Sequence, residues 1–184
     1  MGKILQDGRL LKLLEMADLG LADEARAGGC VYCGAKLYAG DYPRKPRGGP
    51  SWDTRYSFCC SECRKRRTPP SVRFLGRKVY LGVVVTLLGG MLHGFDGRRV
   101  AVMRRELGVS ARTLARWREW WLKSFVQSPF WKVARARFMP LLDEARVPLC
   151  LVEKFGAEVP EGMVRLLQFI SPITVSRSQA GHGM

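Results

Sequence analysis

"CVYCGAKLYAGDYPRKPRGGPSWDTRYSFCCSEC", residues 30–63, opens on one Cys-x2-Cys pair and closes on another. The pairs Cys30–Cys33 and Cys60–Cys63 stand 26 residues apart. A Cys-x2-Cys turn brings both thiolates to one point while backbone N–H groups face the sulfurs, and four such thiolates close a tetrahedral site that leaves no place for water. Gly34 follows the first pair, where a left-handed residue is needed. The spacing therefore predicts a zinc ribbon holding one structural Zn2+ through Cys30, Cys33, Cys60 and Cys63. Redox use of such a pair needs a βαβ context, which is missing, and there are two pairs rather than one.

A third cysteine, Cys59, competes with Cys60 by offering a Cys-x3-Cys spacing. Strand-like stretches flank the loop "PRKPRGGP" (43–50), one around "KLYA" and one around "RYSFC". On a strand through Tyr56 to Cys60, alternate side chains share a face, so Tyr56, Phe58 and Cys60 point inward and Cys59 points away. That favours Cys60 as the ligand. Cys150, in "PLCLVEKF", reads as a small core hydrophobe.

Downstream of the ribbon the pattern turns helical. "RKVYLGVVVTLLGGMLHG" reads as a mostly buried helix ending near Gly94, although its β-branched run also fits a strand. Asp96 caps "GRRVAVMRREL", with Val100, Met103 and Leu107 on one face, and Gly108 stops it. Val109 plugs the interface and Ser110 caps the next helix, "ARTLARWREWWLKSF". There Leu114, Trp117, Trp121 and Phe125 form one stripe, leaving Arg112, Thr113, Arg116 and Glu119 outside. This is the outline of a helix-turn-helix, whose second helix presents its N-terminal residues to base edges in the major groove. Trp120 lies off the stripe and is expected to pack under the following helix, the alternative being to stack against a sugar or base.

Ser128–Pro129 opens a further helix, "FWKVARARFM", and shorter ones are expected after Pro140, Pro148 and Pro160. Upstream, residues 3–16 carry helical spacing, and a second short helix over Leu21–Ala27 is expected to end at Gly28–Gly29. The organisation read from these signals is N-terminal helices over 1–27, the ribbon with its basic loop over 28–76, the helix-turn-helix over 77–127, C-terminal helices over 128–171 and a frayed tail over 172–184. The fold class is mainly α with a small β zinc ribbon.

Charge decides the class of partner. The chain has 31 Lys+Arg against 16 Asp+Glu, a net of +15. Between Arg44 and Arg137 there are 22 basic and 5 acidic residues, a net of +17, so the flanks are weakly acidic. A basic middle of this kind points to a polyanion, and double-stranded DNA is the expected partner. Expected phosphate or minor-groove contacts are Arg44, Lys45 and Arg47 in the loop and the run Arg64, Lys65, Arg66 and Arg67 beside the metal. Some of that run offsets the −2 charge of a four-thiolate zinc centre. Arg112, Thr113 and Arg116 are the expected contacts from the recognition helix.

The longest apolar run, Leu81 to Leu92, is too short for a bilayer, and no basic amphipathic helix with aromatic anchors stands apart from a core. With no apolar leader at the N-terminus, a cytoplasmic, nucleoid-associated location is expected.

"CVYCG…FCCSECRKRRTPPSVRF" resembles the zinc ribbon found near the N-terminus of many bacterial insertion-sequence transposases, and "RELGVSARTLARWREWW" is similar to the helix-turn-helix that often follows it. The resemblance covers roughly residues 28–125. It implies zinc on Cys30, Cys33, Cys60 and Cys63, DNA contacts from Arg112, Thr113 and Arg116, and a place in transposition or DNA recombination. Val31 stands where proline is common, and the spacer is long. Residues 126–184 read as short helices, so an RNase H-like catalytic domain is not expected there and transposase activity is not implied.

Other chemistry fails on inventory. Two histidines, His93 and His182, supply no metal-binding pair, and no nucleophile–His–carboxylate set or phosphate-cradling Gly-x4-Gly-Lys loop is present. A binding protein is expected, not an enzyme: a mobile-element accessory or site-recognition factor. Two rival partners remain open. One is a recombinase, transposase or second copy docked on the apolar flanks (Leu10–Leu21 and Leu141–Ile170). The other is structured RNA.

Overall fold

The computed structural model describes residues 8–45, 53–75, 81–91, 98, 101, 105 and 108–175. Helix α1 spans Gly8–Ala27 without interruption, where two helices were expected. Its buried stripe of Leu10, Leu14, Asp18, Ala22 and Ala25 keeps helical spacing across Gly20. Gly20 faces open space, and a mid-helix glycine costs only about 1 kcal/mol, too little to break a helix anchored on both sides.

Two small sheets follow. Strands β1 (Leu37–Ala39), β4 (Phe58–Cys60) and β5 (Arg66–Arg67) form an antiparallel sheet in the order β1-β4-β5. Strands β2 (Tyr42–Arg44) and β3 (Asp53–Arg55) form a separate antiparallel pair. The register sets Leu37 opposite Cys60, Tyr38 opposite Cys59 and Ala39 opposite Phe58. On the far side of β4, Phe58 faces Arg67 and Cys59 faces Arg66.

The helical body comprises α2 (Gly82–Met91), α3 (Ala111–Glu119), α4 (Pro129–Ala134), α5 (Leu149–Phe155) and α6 (Pro160–Ile170). The β-branched run of α2 is helical, with Val83, Val84, Val85 and Thr86 fully buried. Complete burial overrides the strand propensity of that run. A π-helical turn, Trp120–Phe125, continues α3, and Trp121 and Phe125 point inward from it. Pro129 starts α4 behind the Ser128 cap, which accepts from the Trp131 amide at 3.1 Å. No regular helix follows Pro140 directly; a 3-10 turn over Glu144–Arg146 starts only after Asp143 caps the Ala145 amide at 2.9 Å.

Helix α1 lies on α6, α5 also packs on α6, and α2 packs on α5 and α3. The resulting apolar cluster runs from Leu10 to Ile170. The flanks and the helical middle thus share one core. The apolar stripes of α1 and α6, the expected docking surface for a partner, are spent largely on each other: Leu10, Leu14, Met163, Leu166, Leu167 and Ile170 are all buried. Aromatic rings fill the centre, with Trp121–Phe125 centroids at 4.9 Å, Phe125–Trp131 at 5.2 Å and Phe138–Phe169 at 5.5 Å. Trp120 is half-buried and packs edge-on against Trp121 at 4.6 Å.

Residues 172–174, expected to fray, belong to a 3-10 turn over Ser171–Thr174, and the Thr174 hydroxyl accepts from the Ser71 amide at 3.0 Å. Residues 176–184 lie outside the described residues. So do Asp96, Val100, Met103 and Leu107, and with them most of the first helix expected for the helix-turn-helix. Arg98, Ala101 and Arg105 are helical. Among the described residues, no helix is long and apolar enough to cross a membrane.

Candidate metal centre

The first knuckle grows out of the end of α1. Gly29 (φ +66°) turns the chain; a Cβ there would lie 2.9 Å from the Gly34 carbonyl oxygen, so only glycine fits. The Cys30 amide then donates to the Ala35 carbonyl at 2.9 Å, and the Gly34 amide donates to the Cys30 carbonyl at 2.8 Å. The second knuckle caps β4: the Cys60 amide donates to the Lys65 carbonyl at 3.0 Å, and Ser61 N–H reaches the Lys36 carbonyl at 3.0 Å. The two knuckles match residue for residue. Gly34 follows Cys33 with φ +74°, and Arg64 follows Cys63 with φ +59°, the single positive-φ non-glycine among the described residues.

The four sulfurs converge. Cys30 Sγ lies 3.6 Å from Cys63 Sγ, and Cys33 Sγ lies 3.4 Å from Cys60 Sγ. All four lie within 4.8 Å of one another. These separations are far too long for S–S bonds of about 2.05 Å. They are close to the ~3.8 Å edge of a tetrahedron with metal–sulfur bonds of about 2.3 Å. The site could hold one metal ion and is compatible with structural zinc. Cys59 is not part of it. Its thiol is turned to the Arg64 carbonyl at 3.5 Å, on the face opposite Phe58 and Cys60, which are 5% and 1% exposed.

Electrostatics prepare the site for a cation. The Tyr32 amide, 3.5 Å from Cys30 Sγ, favours its thiolate and draws its pKa down to about 6 against the cost of burial. At Cys63 the Lys65 amide acts the same way. Burial and the three neighbouring sulfurs outweigh it and push this thiol up to about 12. A metal cation bound there would supply the charge that lets all four ionise together.

The basic run beside the four cysteines divides. Arg64, Lys65 and Arg66 are exposed. Lys65 Nζ sits 4.1 Å from the Tyr32 ring centroid, joining the two knuckles by a cation–π contact. Arg66 donates to the Gly40 carbonyl at 3.1 Å and the Ser57 hydroxyl at 3.2 Å. Arg67, expected to meet phosphate, is turned inward. Its guanidinium donates to the Ala25 carbonyl at 2.9 Å and to the Gly29 carbonyl, placing a positive charge on the C-terminal end of α1. Alternation along β5 explains the split: Arg67 faces Phe58, and Arg66 faces Cys59.

Of the cations expected in the loop, Arg44 instead ends strand β2, paired with Asp53 of β3, and is half-buried with its guanidinium 5.1 Å from the Phe74 ring. Lys45 is exposed, and Arg47 lies outside the described residues. On α3, Arg112 and Arg116 are exposed as expected. Thr113 is not on the outer face: it is 8% exposed, its hydroxyl 3.0 Å from the Ser110 cap. It lies beside Leu114 and one turn before Trp117, so the core-facing arc is wider than a single stripe.

Sequence reasoning missed the joint between ribbon and body. Asp18 of α1, 1% exposed, accepts from the Ser71 hydroxyl at 2.7 Å, the Val72 amide at 2.6 Å and Arg73 Nε at 2.9 Å. Arg73 also pairs with Asp53 of β3 and donates to the Thr54 carbonyl at 2.8 Å. Burial opposes the Arg73 charge, but the Asp18 hydrogen bond and charge outweigh it and hold its pKa above the ordinary arginine value. Arg55, equally buried and less well paired, is pushed down by desolvation. The one signal was an aspartate in the apolar stripe of α1.

Compared with protein-family models, curated proteins and solved structures, the chain matches none.

Proposed function

We propose that this chain is a sequence-specific double-stranded DNA-binding protein with one structural zinc in its ribbon, serving as a site-recognition or accessory factor of a mobile element. The observation that carries the reading is helix α3. Gly108 (φ +61°) makes the turn before it, and Ser110 caps it by accepting from the Thr113 amide at 3.2 Å. Leu114, Trp117 and Trp121 anchor it, at 5%, 4% and 0% exposure, while Arg112, Arg116 and Arg118 face solvent. A rigidly held helix with an arginine face at its N-terminal half suits the major groove, where arginine reads guanine in a bidentate manner. Arg64, Lys65 and Lys45 add exposed charge for phosphate contacts; Thr113 and Arg67 are occupied inside the fold and contribute none.

The test is selection of binding sites from a random duplex library, followed by titration of the selected site at 50 and 200 mM salt. Six to ten phosphate contacts predict an affinity loss on the order of 10³–10⁵ over that range. Arg112→Ala and Arg116→Ala should each relax sequence preference, at a cost of about 1–3 kcal/mol. Failure to enrich any sequence, or salt-insensitive binding, overturns the reading. Tighter binding to structured RNA than to the selected duplex moves the assignment to RNA.

A further inference from the structure

We infer that the outer face of the three-stranded sheet is a second site, one that holds the unpaired bases of single-stranded DNA. The cross-strand register aligns Tyr38, Cys59 and Arg66 in one row over β1, β4 and β5. The other face of the same strands carries Leu37, Phe58 and Cys60, all buried. Two aromatic rings remain in solvent near the row, Tyr38 at 54% and Tyr42 at 37% exposure, on either side of Gly40. Each has a cation at hand: Lys36 Nζ is 5.6 Å from the Tyr38 ring centroid, and the Arg66 guanidinium is 5.8 Å from that of Tyr42. Arg66 is itself fixed by the Gly40 carbonyl and the Ser57 hydroxyl, so the ring and cation sit on a braced surface.

Exposed rings interleaved with cations are the chemistry that unpaired nucleotides require. A base stacks on the ring through its π-face, whatever its identity, and the cation meets the adjacent phosphate. Duplex does not offer those faces, because its bases are stacked on one another. The major groove also admits a helix or a two-stranded ribbon, and three strands at about 4.8 Å spacing are broader than that. Tyrosine and arginine also serve protein interfaces, but a cation beside each ring on a chain of net charge +15 favours a polyanion over a protein surface. The assignment goes beyond the duplex reading, uses different residues and can stand or fall without it.

The experiment is fluorescence anisotropy with the full, zinc-loaded chain and three probes at one salt concentration: a thymidylate dodecamer, a uridylate dodecamer and a duplex. Variants are Tyr38→Ala, Tyr38→Leu, Tyr38→Phe and the double variant Tyr38→Ala/Tyr42→Ala, each checked for metal content. Tyr38→Ala and Tyr38→Leu should weaken thymidylate binding about tenfold and the double variant about a hundredfold, with Tyr38→Phe within about twofold of the parent. Duplex affinity should stay within about twofold throughout. Absence of thymidylate binding by the parent overturns the site. So does full affinity in a metal-replete double variant, or uridylate bound about tenfold tighter than thymidylate. Ring-dependent thymidylate binding without any duplex binding supports this site while removing the reading based on α3.

Discussion

The ribbon and the helical body solve the same problem with opposite means. Among the described residues, the ribbon cluster has six buried members, and only Leu37 and Phe58 are large and apolar. The body has twenty-six, including Trp117, Trp121 and Trp131. A cluster of the first size does not offset the conformational entropy of ordering its strands, so the ribbon has to draw on its backbone-anchored knuckles, the arginines that fasten it to α1 and the metal that its four cysteines could hold. The body has an aromatic interior of its own to bury. One chain thus contains a part with a four-cysteine site and little apolar core beside a part ordered by packing, and the two can be stressed separately.

The sharpest way to break the comparison is to remove the metal. Zinc at a four-thiolate site contributes on the order of 10–16 kcal/mol at neutral pH, so Cys60→Ser should abolish stoichiometric binding and unfold the ribbon. The helical signal in far-UV circular dichroism should largely persist. Cys59→Ser should keep full metal content, and the opposite outcome would reverse the assignment of these two neighbours. Metal analysis on purified protein reads both.

The converse stress is applied to the body. Trp131, fully buried and 5.2 Å from Phe125, should cost about 3–5 kcal/mol when replaced by alanine, read as a lower thermal midpoint by tryptophan fluorescence. Metal content should not change if the two regions are ordered independently. A simultaneous loss of zinc would show that the ribbon leans on the body more than its own cluster implies.

Asp18 measures that coupling directly. Asp18→Asn keeps the shape but loses the charge that faces Arg73 Nε at 2.9 Å and the Val72 amide at 2.6 Å. A loss of about 2–3 kcal/mol is expected, the scale of hydrogen bonds to a charged group. Because Asp18 joins α1 to residues 71–73, hydrogen exchange should quicken on both sides of the joint, in residues 71–75 and in α1 around Asp18.

The smallest effect is in acid and is confined to the body. Glu144 accepts from Trp131 Nε1 at 2.8 Å and from Arg135 at 2.7 Å, and these two bonds hold its carboxyl below the ordinary value of 4.5. A depressed carboxylate contributes stability that is fully present above 4.5 and is lost as pH falls through its folded value. Thermal midpoints of the parent should therefore drop a few degrees more than those of Glu144→Gln as pH is lowered below 4.5. Parallel curves would remove the carboxylate from the stability of this region.

The docking reading of the flanks changes for a related reason. A truncation that removes α1 or α6 takes Leu10 and Leu14, or Met163, Leu166 and Leu167, out of the shared core. It cannot serve as a mild test of assembly, because the body itself would lose its packing.

Local chemistry was readable from the sequence, and pairing across distance was not. Knuckle spacing placed the four sulfurs, because a Cys-x2-Cys turn is set by a handful of neighbouring dihedrals. Strand alternation turned Cys59 away from Cys60, and the cap and stripe of α3 followed from helical period alone. The continuity of α1 through Gly20, the inward turn of Arg67, the burial of Thr113 and the Asp18–Arg73 joint required the tertiary structure. Each depends on which surface arrives opposite a residue: Arg67 finds the carbonyl end of α1 some forty positions earlier, and Asp18 finds residues 71–73. A side chain's period states which face it occupies. Only the element packed against that face decides whether a charge there meets solvent, a nucleic acid or the interior of the protein.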